Sequence, residues 1–388
     1  MKLGAHTRGF PKIEAKSFSF LDEALTDVRV VGYGEDTHGT ADFTLLAQTL
    51  MQYLAQRHGF TVFIIETGFG EGQYLNDYIH GKRDDLTTIL ADHNSTWRYN
   101  TQEFHQLMYA LREHNQRDGP QVHLYGSEMQ YVKSDVDRIR AFLKRVDSDY
   151  QIDGFEKHLW QPFEESDKSD YYISYMKLKA YFIEHGDTFK EKTSKQEYEL
   201  AYRHVEVLGQ FVAAINQNVE QRKHDLRDLY MAENIQWILD HHGEAPKALY
   251  WAHNAHVGDW VSNGIVDVAG HQLRKVYEDA YFNIATDFGS GEFMAFSQDW
   301  KMQSFGHASV PKDTFSACLQ RFGEPNTFLN IRDARKKPAL TTYLNAPVTT
   351  VSGAGAQFRD AKTETSDLTS AFDGLIYLDK TTAISMTD

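Results

Sequence analysis

The chain has 388 residues, with 55 acidic against 40 basic side chains and a formal net charge of -15. That length calls for about two or three folding units, or one large α/β unit with an insertion, and it suffices to bury a sizeable core. A single cysteine, Cys318, excludes an internal disulfide and a four-cysteine zinc site, and the deficit of positive charge argues against nucleic-acid binding, which needs clustered Lys and Arg.

No apolar run approaches the roughly 18 residues of a membrane span, and Met1 to Glu14 has no apolar stretch of the kind a signal peptide carries. The expectation is a protein without membrane contact, in a reducing cytoplasm.

The first predicted strand is Asp27-Val-Arg-Val-Val-Gly32. Phe43, Ala47, Leu50 and Leu54 then recur with helical spacing, and Gly59 is placed to stop that helix. A second strand is Thr61-Val-Phe-Ile-Ile65 and a third is Val122-His-Leu-Tyr125. Between them a helix carries Phe104, Leu107, Met108 and Leu111, opened by Asn100 with Glu103 three residues on. This alternation predicts an α/β fold, a mostly parallel sheet flanked by helices.

From about Ser134 to His242 the pattern is helical, which predicts a large helical insertion between the third and fourth core strands. Tyr198, Ala201, Val205, Leu208, Val212, Ile215 and Val219 alternate steps of three and four, the spacing of a packed antiparallel helix pair. The fourth strong strand is Lys247-Ala-Leu-Tyr-Trp-Ala252. Tyr281 to Thr286, Phe293 to Phe296, Phe328 to Ile331 and Leu375 to Leu378 follow as further strands, and Thr349 to Thr365 reads as a Gly, Ser and Thr-rich surface loop. The organisation expected is 1–132 as the first half of an α/β core, 133–245 as a helical insertion or lid, and 246–388 as the second half.

Each of the four best strands runs into ionisable residues. The first leads to Gly32-Tyr-Gly-Glu-Asp-Thr-His-Gly39, the second to Glu66, the third to Gly126-Ser-Glu128 and the fourth to His253-Asn-Ala-His256. Ligands of open parallel sheets bind beyond the carboxyl ends of the strands, so these groups are expected to converge on one cleft. Glu35 is spaced to orient His38 and raise its basicity. The paired His253 and His256 are candidate donors to an oxyanion or half of a metal site. No G-x-S-x-G elbow occurs, and the glycines around residue 34 and residue 70 miss the dinucleotide spacing. On the helix from Asp225 to His242, Arg227, Met231 and Asn234 share a face that carries Arg and Asn where apolar residues are usual.

In their order along the chain these segments resemble the erythromycin esterase family. The resemblance rests on Gly34-Glu-Asp-Thr-His-Gly39, His58-Gly-Phe60 with Glu66, Asn76-Asp-Tyr-Ile79, Trp97 with Glu103, and Leu111-Arg112 with Asn115. It continues through Gly126-Ser-Glu-Met-Gln130, Arg227-Asp228, Met231, Asn234 and Trp251-Ala-His-Asn-Ala-His256 to Phe372-Asp-Gly-Leu-Ile376. Glu128 stands where the family usually has Asp, and Ala47 where a basic residue is expected. The resemblance implies hydrolysis of a macrolide lactone, with His38 as the base that activates water and Glu35, Glu66, His253 and His256 around it. It places Arg227, Glu128, Asn254, Met231 and Asn234 toward a small-molecule substrate, a macrolide or another ester. No cofactor is expected.

Two alternatives stay open on the residues. One is metal-assisted hydrolysis of another ester, since the same Glu and His side chains are competent ligands of a divalent ion. The other is a non-catalytic protein that holds a large ligand. The sequence leaves the oligomeric state open.

Overall fold

A computed structural model describes residues 3–92, 96–152, 154–262 and 266–387. The strands used below are β1 Thr7–Phe10, β2 Val30–Glu35, β3 Val62–Gly68, β4 His123–Glu128, β5 Ala248–His253, β6 Tyr281–Phe296, β7 Met302–His307, β8 Asn326–Asn330, β9 Val348–Val351, β10 Thr363–Ser366 and β11 Gly374–Thr381. The helices are α1 Ala41–His58, α2 Gln102–Asn115, α3 Lys133–Val146, α4 Glu165–Lys192, α5 Lys195–Ile215, α6 Glu220–His241 and the one-turn α7 Asn254–Val257. The chain divides into two compact units: Met1–Ile64, Tyr78–His123 and Leu239–Asp388 form the first, and Ile65–Asp77 with Leu124–Ile238 the second.

In the first unit the strand order is β1-β8-β11-β6-β2-β5, with β7 added to β6. The centre is parallel: β2 pairs with β5 and β6, and β6 with β11. The antiparallel pairs β8 with β11 and β1 with β8 lie toward one margin, and β7 pairs antiparallel with β6. All six residues of β2 are buried, as are the first five of β5. Strands covered on both faces need continuous apolar runs rather than alternation, which is how Val30-Val31 and Ala248-Leu-Tyr-Trp-Ala252 read. The fold is the expected mixed α/β arrangement with helices flanking a sheet.

Register places the chemistry. Parallel pairing of β2 and β5 sets Glu35 directly beside His253, so the last residues of two strands about two hundred positions apart become neighbours. The turn after β2 is fixed by Gly39, whose carbonyl accepts from Met294 N at 2.9 Å and from Ile384 N at 3.0 Å. A Cβ on Gly39 would lie 1.8 Å from the Met294 carbonyl oxygen, so no other residue lets β6 approach this closely.

The second unit is mainly helical. Ala201, Val205, Leu208, Val212 and Ile215 of α5 are buried, so the seam read from their spacing packs internally; Val219, beyond the helix end, is 58% exposed. Phe182 of α4 lies 5.7 Å from Phe142 of α3, ring to ring, which ties these helices together.

Three expectations are corrected. Thr349 to Thr365 is not a single loop, because Val348-Thr-Thr-Val351 pairs antiparallel with Thr363-Glu-Thr-Ser366. The alternation of β-branched residues outweighs the glycine content between them. Phe293 to Phe296 is the end of the same strand as Tyr281, since Gly291 faces Thr381 on one side and His307 on the other and the ladder runs through. The second long helix is capped by Thr101, whose Oγ1 accepts from Phe104 N, rather than by Asn100.

Gly59 ends α1 as read, at φ 70°, and a Cβ there would have nothing within 4 Å of it. Gly59→Ala is therefore expected to cost about 1 kcal/mol through backbone strain alone, with Gly59→Asn costing less. Urea denaturation checks this, and identical midpoints for all three proteins would contradict it.

Candidate active site

Glu35 is the last residue of β2 and is almost fully buried. Its Oε1 accepts from His38 Nδ1 at 2.6 Å and from Arg98 Nη2 at 2.8 Å, and its Oε2 accepts from Trp251 Nε1 at 2.8 Å. Burying a carboxylate is costly unless donors replace water, and these three are charge-assisted. Arg98 comes from the helical turn Thr96–Tyr99 and Trp251 from β5, so the anion joins three segments. A bond from Nδ1–H to Glu35 puts the basic lone pair of His38 on Nε2.

The ring of His38 is 5.1 Å from that of His253 and 5.9 Å from Trp97, both edge-on. His253 caps α7: its Nδ1 accepts from Ala255 N at 3.2 Å. Its Nε2 lies 3.1 Å from the Asp36 carbonyl oxygen. An amide can only donate and a carbonyl can only accept, so His253 is the neutral tautomer with its proton on Nε2. His256 sits on α7, half-buried. Asn254 is turned inward: its Nδ2 donates to Thr286 O at 2.9 Å and its Oδ1 accepts from Thr286 N at 3.3 Å.

A cavity of about 360 Å³ opens at this point, lined among others by Asp36, His253, Gly353, Gly355, Arg359 and Glu364. The segment after β9 forms its wall. His38 N donates to Ala354 O at 3.2 Å, and Thr37 bridges Ala354 in parallel. Asp36 is buried with its Oδ2 lacking a hydrogen-bond partner among the described residues. Burial first, then Glu364 and Asp287, raises its carboxyl well above the ordinary range. Asp287 is pushed up to about 7 by burial, with Glu364 adding to the effect.

The remaining predicted residues belong to the second unit. Arg227 Nη2 donates to Glu66 Oε1 at 2.7 Å and to Glu128 Oε1. Burial opposes the charge on Arg227, but the Glu128 and Glu66 carboxylates outweigh it and hold the guanidinium above its ordinary value. Gln130 Nε2 donates to the other Glu128 oxygen. Met231 is fully buried. Asn234 is tied internally, donating to Ser127 O at 2.8 Å and accepting from Arg203 at 2.6 Å and Gln210 at 3.1 Å.

Sequence reasoning did not single out Arg98, Asp36 or the Gly353-Ala-Gly355 segment. A buried arginine two residues from a predicted helix start gave no periodic signal, and a glycine-rich stretch reads as loop wherever it lies. Among the described residues no group of three or more His, Cys, Asp or Glu is placed to hold a metal ion.

A histidine oriented by a buried carboxylate at the carboxyl edge of parallel strands can exchange a proton at its second ring nitrogen. The erythromycin esterase family profile matches residues 55–381, and the chain belongs to that family. The chain is 23% identical to a putative hydrolase, YbfO, of Bacillus subtilis over 95% of its own length and 87% of that protein's. It is 24% identical to the type II erythromycin esterase of Escherichia coli, over 81% of this chain and 84% of that one. A Bacillus cereus protein of solved structure shares the fold, with a TM-score of 0.86 at 20% identity, covering 100% of this chain and 98% of the other.

Two outcomes are expected. The folded protein holds a proton on Asp287 that the unfolded chain releases near the ordinary value of 3.8. Stability from this group is therefore fullest at low pH and is lost as pH rises through about 4 to 7, by up to about 1.4 kcal/mol per pH unit. Asp287→Asn removes that slope; urea midpoints for both proteins near pH 5 and near pH 8 test it, and parallel pH dependences would contradict it. Arg227→Met leaves two buried carboxylates without their shared cation and should cost about 3–5 kcal/mol. A melting temperature within a degree or so of the parent protein's would show that the pair does not depend on Arg227.

Proposed function

We propose that the protein hydrolyses an ester with water activated by His38, without a covalent enzyme intermediate. The observation that carries the reading is the lock on His38: Nδ1 bound to buried Glu35, and Glu35 bound in turn by Arg98 and Trp251, with Gly355 close to Nε2. Water gives a proton to Nε2 as its oxygen bonds to the ester carbonyl carbon. The carbonyl π pair moves onto oxygen. The C–O bond to the alcohol then breaks, and His38 returns the proton to the leaving alkoxide. Glu35 stabilises the imidazolium in between, and Arg98 keeps Glu35 ionised.

The substrate class follows from kinship. The family and the type II relative carry the name of an esterase acting on a macrolide, so a cyclic ester is the first substrate to test. The scheme itself uses no metal; Nδ1 of His38 and both nitrogens of His253 bond to protein partners.

The test is a mass-spectrometric screen of macrolides, smaller lactones and simple esters for a gain of one water, run with and without a chelator. His38→Ala is expected to lose about 100- to 10,000-fold in kcat/KM with the fold retained, at a stability cost of about 1–3 kcal/mol for the donor taken from Glu35. Glu35→Gln should lose activity and stability together, because it discharges an anion that Arg98 is buried against. Wild-type turnover by His38→Ala would remove His38 from the chemistry. Loss of activity on chelation, restored by a divalent ion, would favour the metal-assisted route. Tight binding with no product from any ester would favour a sequestering role.

A further inference from the structure

Gly355 lies close to Nε2 of His38. A Cβ built on it would sit 3.8 Å from His38 Nε2 and 3.7 Å from His253 Nε2, with no closer neighbour. These are ordinary van der Waals separations, and φ at Gly355 is not in the left-handed range. Packing therefore does not require glycine here, unlike at Gly353, where a Cβ would lie 2.1 Å from Asp36 Oδ2.

The position of Gly355 is fixed. On one side Ala354 O accepts from His38 N at 3.2 Å, and on the other Ala356 O accepts from Phe296 N at 2.9 Å. Gln357 Nε2 donates to Ser297 O at 3.0 Å. Glu364 accepts from Ser352 and from the Gly353 amide, which clamps the start of the segment. Burial of Asp36 against Gly353 holds it to β2 from the other side.

We infer that the missing side chain of Gly355 is the seat of the nucleophilic water. An oxygen hydrogen-bonded to Nε2 sits about 2.8 Å away along its lone pair. A methyl group 3.8 Å from Nε2 overlaps an oxygen seated between the two, since a carbon and an oxygen need more than about 3 Å between them. The inference rests on His38 being the base, and it adds the residue that reserves space for the reactant. It also separates the two imidazoles in function. His253, engaged on both nitrogens, borders the water seat, while His38 acts on its occupant.

Gly355→Ala is the test. Its melting temperature should match the parent protein's, because the new methyl meets only normal contacts. Its kcat should fall at least 100-fold for every ester the parent protein hydrolyses, with KM little changed, because the lost component is water and not the acyl group. Titration of His38 followed by NMR should remain as in the parent protein. A loss that grows with acyl size and vanishes for acetate esters would overturn the inference, making Gly355 a wall of the acyl pocket instead. Unchanged kcat would overturn it outright. If the parent protein hydrolyses no ester, the reading of His38 fails on its own; if the parent protein is active and Gly355→Ala equals it, only the water seat fails.

Discussion

The buried carboxylate of Glu35 is the constraint on which the first unit's site depends. An anion this far from water has to be compensated by donors fixed in place, and the donors come from separate parts of the chain. Trp251 is delivered by the parallel pairing of β2 with β5, and Arg98 by the turn Thr96–Tyr99. That turn leads into a stretch pinned by the chain's last residues: Gln102 N donates to Ser385 O at 2.8 Å, and Thr387 Oγ1 to Asn100 O at 3.0 Å. The C-terminal segment also bridges Thr40, just beyond His38. Orientation of one imidazole thus draws on sheet register, a short helix and the tail together. Local loosening of any of these releases the same hydrogen bond.

The second unit solves the same electrostatic problem with a different stoichiometry. Two carboxylates, Glu66 and Glu128, share the single guanidinium of Arg227. Gln130 adds a neutral donor to Glu128. Behind Arg227, Asn234 spends its amide on Ser127 O, Arg203 and Gln210. The polar face that marked α6 in the sequence is therefore a buried network, and each member is held by another.

Much of this was legible in the residues. Continuous apolar runs announced buried parallel strands, and the parallel pairing of β2 with β5 brings Glu35 beside His253 at their carboxyl ends. Glu35 and His38 were legible as a pair from their spacing on one turn. Long-range partners were not. Nothing local links Arg98 to Glu35, 63 positions away, or Trp251, 216 positions away. The wall formed by Gly353 to Gly355 escaped notice for a related reason. Composition describes how a segment bends, while its place over His38 comes from the Ala354 bridge and the β9–β10 pairing, which are tertiary.

His38 and His253 differ in what they can exchange with solvent. Protonating His253 on Nδ1 breaks its bond to Ala255 N and sets a cation at the start of α7, where the helix dipole opposes it. Protonating His38 on Nε2 breaks no bond to the protein among those described and completes an ion pair with Glu35. Of the two, only His38 can take a second proton without giving up a described hydrogen bond. The acidic residues nearby reinforce this division. Burial keeps Asp36 and Asp287 protonated to a higher pH than usual, so they add little negative charge that would draw a proton onto His253. On this geometry an added proton costs His253 its hydrogen bond to Ala255 N and costs His38 none among the described residues.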